Sequence, residues 1–470
     1  MRAQFTQNIL LLLVVNFLIK PIYVLFIDAE VQNQVGTEAY GVYFALFNFC
    51  FIFQILLDMG IVTYNSKQLS QNRGEGATYF SDILGTKIFL ITAFLGTITL
   101  SGFILGYPSS YFPMILGLGC VMIFQSYFVF LRSNFSALGH FKVEAWLSAL
   151  DKFLMIFIIG YLVYFSSQIT VQRFIYGQII SMLIAVVIGM LLLSRQFKLT
   201  IHFSLQRSRK LLRQSWPYAL TFILMILYTR IDAVMLERML DDKGRAAGVY
   251  ATGYRLLDSV NMIGYYFSIL LIPMFSKQLG DKLDVKPLSD TALGFLLTIA
   301  TSVTLLCWFY APDIMDFIYD DITAENVLVF RLLMFGFWFL SLSYLFGSMI
   351  SASGDLKAFN MMLIGGIVVN WALNLWLIPT EGAVGAAIAT AFTQGAVFIG
   401  ELILAIMMFK LRYTGVYILK VIVFIVVAAV IVWFIGEKLS FLWIFEFLLS
   451  GIILMLVSFL FGFLRLFWTD

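Results

Sequence analysis

The chain has 470 residues, of which 61% are hydrophobic and only 12% charged, with a mean hydropathy of +0.95 and a formal net charge of +3. These values lie outside the range of water-soluble globular domains, so an integral membrane protein is expected. Cys50, Cys120 and Cys307 all fall inside apolar runs, which excludes a disulfide framework and a cysteine zinc centre.

Fourteen apolar segments of 20 or more residues follow one another near 8–27, 39–62, 83–106, 110–131, 146–167, 174–194, 216–236, 246–272, 290–311, 326–350, 358–378, 384–408, 414–436 and 440–464. Each reaches the roughly 20 residues that a helix rising ~1.5 Å per residue needs to cross the hydrocarbon. None alternates with the short period of a barrel strand, so the expected fold is all-α and polytopic. The first segment runs into further spans without a small-residue cleavage site and reads as a retained helix. Placing the N-terminus inside puts eighteen Lys and Arg on one side and five on the other. The positive-inside rule then predicts that both termini are cytoplasmic.

In chain order, the first span carries Lys20 followed by Pro21, which removes a backbone donor and frees a carbonyl. The second opens at Gly41-Val42-Tyr43, holds Asp58 near its inner end and is followed by Ser66-Lys67-Gln68-Leu69. Lys87 in the third span is expected to snorkel to the headgroups, as are Arg331, Lys420 and Glu446 in later ones. Asp151 and Lys152 stand near the inner end of the fifth. With Asp58 they form a candidate cytoplasmic gate, with solvated helix ends as the alternative.

A basic linker around Arg195 to Arg213 precedes the seventh span, which holds Arg230 and Asp232. The eighth opens at Gly248-Val249-Tyr250, carries Arg255 and Asp258, and leads to Ser276-Lys277-Gln278-Leu279. These motifs repeat those of the second span at offsets of 207 and 210. Ser136-Ala137-x-Gly139-x-x-Lys142 returns as Ser351-Ala352-x-Gly354-x-x-Lys357. A duplicated unit of six helices follows, with 1–205 as the first lobe, 206–412 as the second and 413–470 as two added helices. Six is even, so the two copies are expected to run parallel around a central cavity.

Charges inside spans are costly, about 2.5–3.5 kcal/mol each on insertion scales. Lys20 and Arg230 are 210 residues apart, the offset of the second repeated motif, and both read as lying in the outer halves of their spans. With Arg255 they form a candidate anion site. Arg255 and Asp258 share a helix face, whereas Arg230 and Asp232 do not. Three cations against Asp232 and Asp258 leave one positive charge over, which suits a diphosphate. A set of interlobe salt bridges without ligand is the alternative. Glu401 in the twelfth span is either a proton or sodium coupling site or a hydrogen-bonded core carboxyl. Asn370 and Asn374 share a face and suit either sugar recognition or interhelical packing.

The stretch Tyr228-Thr229-Arg230-Ile231-Asp232-Ala233-Val234-Met235-Leu236 resembles polysaccharide-type flippases of the multidrug/oligosaccharidyl-lipid/polysaccharide (MOP) superfamily. So do Gly248-Val249-Tyr250 with Tyr254-Arg255-Leu256 and Asp258, Pro273 with Ser276-Lys277, and Asn370 to Pro379 leading into Gly385-Ala386-Ala387. The resemblance covers nearly the whole chain. It implies translocation of an undecaprenyl-diphosphate-linked oligosaccharide from the cytoplasmic to the outer leaflet of the bacterial inner membrane. The implied partners are the anionic lipid-linked saccharide, membrane lipids and a coupling ion, proton or sodium. The alternative within the superfamily is an ion-coupled exporter of amphipathic drugs, against which the net positive cluster counts. No nucleophile and base pair, metal site or cofactor motif supports an enzyme, and topology accounts for the basic residues without nucleic acid.

Overall fold

The computed structural model describes residues 16, 18–71, 76–166, 169–195, 204–354, 356–439 and 442–464. The start of the first expected span, Arg73, part of the basic linker with Lys198, and Arg465 lie outside the described residues. Among the described residues every regular element is a helix, and eleven helices are long and apolar enough to cross a membrane. The apolar runs leave no other solution, because hydrocarbon offers backbone groups no partner beyond their own helix.

Contacts divide the chain into two units, Met1–Gly248 and Val249–Asp470. The first begins with helical residues 18–22, passes through a π-helical turn at Tyr23–Asp28 and continues as α1, Ala29–Val35. Gly36 alone, at φ 85° and ψ 158°, turns the chain into α2, Thr37–Phe53. Only glycine adopts that conformation without strain. The sequence reading ended the first span at residue 27. The helix instead continues through Asp28 and Glu30 to Val35, because Asp28 is buried and accepts a hydrogen bond from Tyr40 Oη at 2.6 Å.

The first unit then comprises α3 (Ile61–Gln71), α4 (Gly76–Ile104), α5 (Phe112–Ala137), α6 (Phe141–Phe165), α7 (Val171–Ser194) and α8 (Leu205–Met239). Helices α5, α6 and α7 pack together, and α8 lies along α2 and also touches α3 and α4. Helix α9, Arg245–Gly280, starts just before the division and carries the chain into the second unit. The division by contact thus falls inside the eighth apolar segment and not at the basic linker.

At the start of α9 the two repeated glycines meet. A Cβ added at Gly41 would overlap the carbonyl oxygen of Gly244 and lie 2.5 Å from the amide nitrogen of Gly248. A Cβ at Gly248 would overlap the carbonyl oxygen of Thr37, and Gln32 Nε2 donates to the Gly248 carbonyl at 3.1 Å. Small residues allow such backbone approach between helices in lipid.

The second unit continues with α10 (Lys286–Phe309), the short α11 (Ala311–Ile318), α12 (Ala324–Ser353), α13 (Leu356–Phe409), α14 (Gly415–Lys438) and α15 (Trp443–Leu460). Its core gathers Phe275, Leu296, Leu345, Phe346, Met349 and Phe424 from α9, α10, α12 and α14. Helix α12 starts with a capping box, Thr323 with Asn326, and ends at Gly354 in the left-handed conformation. Helix α13 holds the eleventh and twelfth expected spans in one element. They part at Gly382 (φ 55°, ψ −128°), three residues after Pro379.

Candidate functional site

The second expected span is broken. Helix α2 ends at Phe53, a 3-10 turn covers Gln54–Leu57, and Met59 and Gly60 take φ of 48° and 79° before α3 starts. Met59 is a strained position for a side-chain-bearing residue. The break frees the Leu57 carbonyl, and Lys87 Nζ donates to it at 3.0 Å and to Ser126 Oγ at 2.9 Å. Asp58 Oδ1 lies 3.8 Å from the same ammonium and accepts the Val62 amide at 3.1 Å. The rings of Tyr127 and Phe130, each 5.5 Å from Nζ, complete the enclosure.

Lys87 therefore does not snorkel. Its side chain is 1% exposed, whereas that of Asp58 is 26% exposed. Helix α4 extends eleven residues beyond Lys87 on its N-terminal side, so the ammonium is too far along the helix to reach its end and turns inward to the freed carbonyl. The sequence reading missed this site because Lys87 sat close to a hydropathy boundary. The signal that would have found it is the Asp58-Met59-Gly60 triplet at the end of an apolar run.

Asp151 and Lys152 do not join Asp58. They pair with each other at 3.7 Å on α6, and Lys152 Nζ sits 4.7 Å from the Tyr23 ring centroid. Lys20 stands in the electrostatic field of Asp151, Lys152, Arg132 and Glu144. Arg132 Nη2 in turn donates to Glu144 Oε1 at 2.6 Å. The expected gate is thereby divided into two separate clusters, Asp58 with Lys87 and Asp151 with Lys152 and Lys20.

Arg230 has other surroundings, with its guanidinium 5.0 Å from the Phe51 ring centroid on α2, and Asp232 is buried at 1% exposure. Lys20 is fifteen residues before the end of α1 at Val35, and Arg230 is nine before the end of α8 at Met239. The first helix outlasts its apolar run by a further two turns.

In the second unit Arg255 and Asp258 are half-buried on α9, and Ser259 Oγ donates to the Arg255 carbonyl at 3.1 Å. Asn370 and Asn374 are fully buried on α13, where Asn374 Nδ2 donates to Asn370 Oδ1 at 3.1 Å. Glu401, also on α13, is buried against α12, where the absence of a side chain at Gly347 makes room for its carboxylate. Among the described residues no partner meets Asn370 Nδ2 or Glu401 Oε2 at hydrogen-bond geometry, and Ser343 stands beside the Glu401 carboxyl.

Among the described residues of the first unit, two concavities stand out. One of about 860 Å³ is bounded by Gln34, Val35, Tyr111, Met114, Val163 and Thr170, among others, near the turn at Gly36. None of the anticipated site residues lines it. Nearby, Arg238 packs its guanidinium 4.5 Å from the Tyr107 ring centroid, pairs with Glu237 at 3.0 Å and donates to the Leu105 carbonyl at 3.0 Å. Burial pushes the Glu237 carboxyl above the usual carboxylate range, with Arg238 opposing, and burial likewise raises the Tyr107 phenol. The other concavity lies between α4 and α8.

Each unit has broken or kinked helices and buried ionisable groups, features that also occur in membrane transporters. The structure is similar to that of the lipid II flippase MurJ in an inward closed conformation, with a TM-score of 0.76 at 16% identity over 96% of this chain and 98% of that one. It is also similar to an inward-facing multidrug resistance MATE family transporter of the MOP superfamily, with a TM-score of 0.67 at 14% identity over 86% of this chain and 98% of that one. An uncharacterized membrane protein of Methanocaldococcus jannaschii is 23% identical over 410 residues, covering 80% of this chain and 79% of its own. Residues 5–279 match the model of the polysaccharide biosynthesis protein family, and the chain belongs to that family.

Proposed function

We propose that the protein flips an anionic lipid-linked oligosaccharide, undecaprenyl-diphosphate-linked, from the cytoplasmic to the outer leaflet by alternating access. The observation that carries this reading is the family match over 5–279, joined to a fold similar to that of a lipid II flippase. Translocation of this kind involves no covalent step. Lys20, Arg230 and Arg255 are the groups proposed to engage the diphosphate, with Asp232 and Asp258 balancing their charge. Asn370 and Asn374 supply hydrogen bonds to sugar. Asp58, Asp151, Lys152 and Glu401 are assigned to gating or to coupling with a proton or sodium.

Flipping of a diphosphate-linked sugar in vesicles tests the reading. Arg255→Ala is expected to lower the rate at least about tenfold, the scale of one charge-assisted hydrogen bond, at unchanged membrane abundance. Arg331→Ala is expected to act on abundance instead, because Arg331 Nε donates to the Trp308 carbonyl at 2.9 Å and its guanidinium lies over the Trp308 ring. Full activity in Lys20→Ala, Arg230→Ala and Arg255→Ala alike would refute the anion mechanism. Export of a cationic dye with no flipping would favour the drug-exporter alternative.

The proposed orientation places both termini in the cytoplasm of a bacterial inner membrane. Single cysteines at Asp241 and Asp320 are expected to react with an impermeant reagent added to intact cells. Cysteines at Arg207 and Lys282 are expected to react only after permeabilisation. A labelled Arg207 position in intact cells would invert the scheme.

A further inference from the structure

The concavity between α4 and the first turns of α8 has a volume of about 770 Å³ and is lined by Phe89, Leu205 and Leu212, together with Gln206, Ser208 and the cations Arg209, Lys210 and Arg213. Its lining joins apolar side chains to three cations, and among the described residues no carboxylate lines it. The nearest acid on α4, Asp82, is already engaged by Arg207 at 3.2 Å. The groove is held in shape by that pair and by the buried hydroxyl pair of Thr86 and Ser208 at 2.8 Å. Leu211, three residues after Ser208 on α8, is sunk into the core of the first unit with Ile83 and Leu84. Arg209, Lys210 and Arg213 are exposed along the same stretch of α8. Phe89 and Leu205 remain 48% and 68% exposed.

We infer that this groove is a binding site for an anionic phospholipid of the leaflet adjoining the basic linker, with the phosphate on Arg209, Lys210 and Arg213 and the first acyl carbons against Phe89, Leu205 and Leu212. The occupant must satisfy both halves of the groove. A soluble anion leaves the apolar side chains wet, and a zwitterionic lipid brings a positive group against three cations. An anionic amphiphile meets both demands, and basic pockets beside membrane helices bind such headgroups. The volume lies within the range of ordinary ligand pockets. Occupancy would fasten α8 to α4. The site is independent of the transported substrate, so its failure leaves the flippase reading intact.

The test titrates the purified, delipidated full-length protein with phosphatidylglycerol and, separately, phosphatidylcholine, and counts retained lipid by native mass spectrometry. The wild type is expected to retain phosphatidylglycerol preferentially. Near a membrane surface each basic residue contributes about 1 kcal/mol, so Arg209→Gln/Lys210→Gln/Arg213→Gln together should weaken retention about a hundredfold. Arg209→Lys/Arg213→Lys should keep it. Lys277→Gln/Lys282→Gln, exposed cations elsewhere on the chain, should leave it unchanged, and thermal melting confirms that each variant is folded. Equal retention of the two lipids, an unaffected triple variant, or full competition by inorganic phosphate would each overturn the inference. So would charge-dependent retention of a prenyl diphosphate but not of phosphatidylglycerol, which would make the groove a loading site for substrate.

Discussion

Gly41→Ala is expected to destabilise the protein by about 3 kcal/mol, the upper end of what overpacking ordinarily costs. The added methyl meets the backbone of one helical turn, the Gly244 carbonyl oxygen and the Gly248 amide nitrogen, and neither can rotate away as a side chain would. Gly96→Ala supplies the contrast. No atom lies within 4 Å of a Cβ there, so the substitution should stabilise α4 by about 0.5–1 kcal/mol through the reduced freedom of the unfolded chain. Thermal melting of the two variants in one detergent reads both signs. If Gly41→Ala melts with or above the wild type, the backbone crossing at α2 and α9 is wrong. Gly248→Ala should reproduce the loss, since its methyl would strike Thr37.

The pair at the break of the second span gives the other large effect. Asp58→Asn leaves the Lys87 ammonium at 1% exposure without its counter-charge, and removal of one partner from a buried pair costs about 3–5 kcal/mol. Partial hydration of Asp58, at 26% exposure, screens the pair and favours the lower figure. Lys87→Met should cost less, because the stranded carboxylate keeps its contact with water and the Val62 amide. Ser126 Oγ, 3.3 Å from the Leu57 carbonyl, can still serve that acceptor. Asp58→Asn/Lys87→Met should recover at least about half of the Asp58→Asn loss. The ordering is the decisive reading of the melting curves. Should Lys87→Met prove the more damaging single change, the ammonium is held by the Leu57 and Ser126 oxygens and not by the charge of Asp58.

The membrane class, the helices and the repeated motifs were legible in the sequence, because each follows from local composition. An apolar run of about 20 residues has one low-energy state in hydrocarbon, whatever the rest of the chain does. The repeated Gly-Val-Tyr motif was visible as a pattern, but its physical role was not. That Gly41 and Gly248 carry two backbones into contact depends on a crossing between elements some 207 residues apart.

Hydropathy failed at the ends of helices and wherever charge is buried. The first helix runs on to Val35 because Tyr40 satisfies Asp28, a partner that no local window weighs. Lys87 looked like a snorkelling residue because distance from a span end is countable and side-chain direction is not. The direction is fixed by the carbonyl of Leu57, released only when α2 unwinds before Asp58. Likewise Lys20 and Arg230 share a sequence offset, yet Lys20 lies in the field of α6 charges and Arg230 over Phe51. The sequence by itself determined that the chain is helical and built for a membrane, since the solvent imposes that on each apolar run. Only the tertiary structure decided which buried charges meet, because pairing depends on the meeting of distant helices, and its energy falls away within a few ångströms.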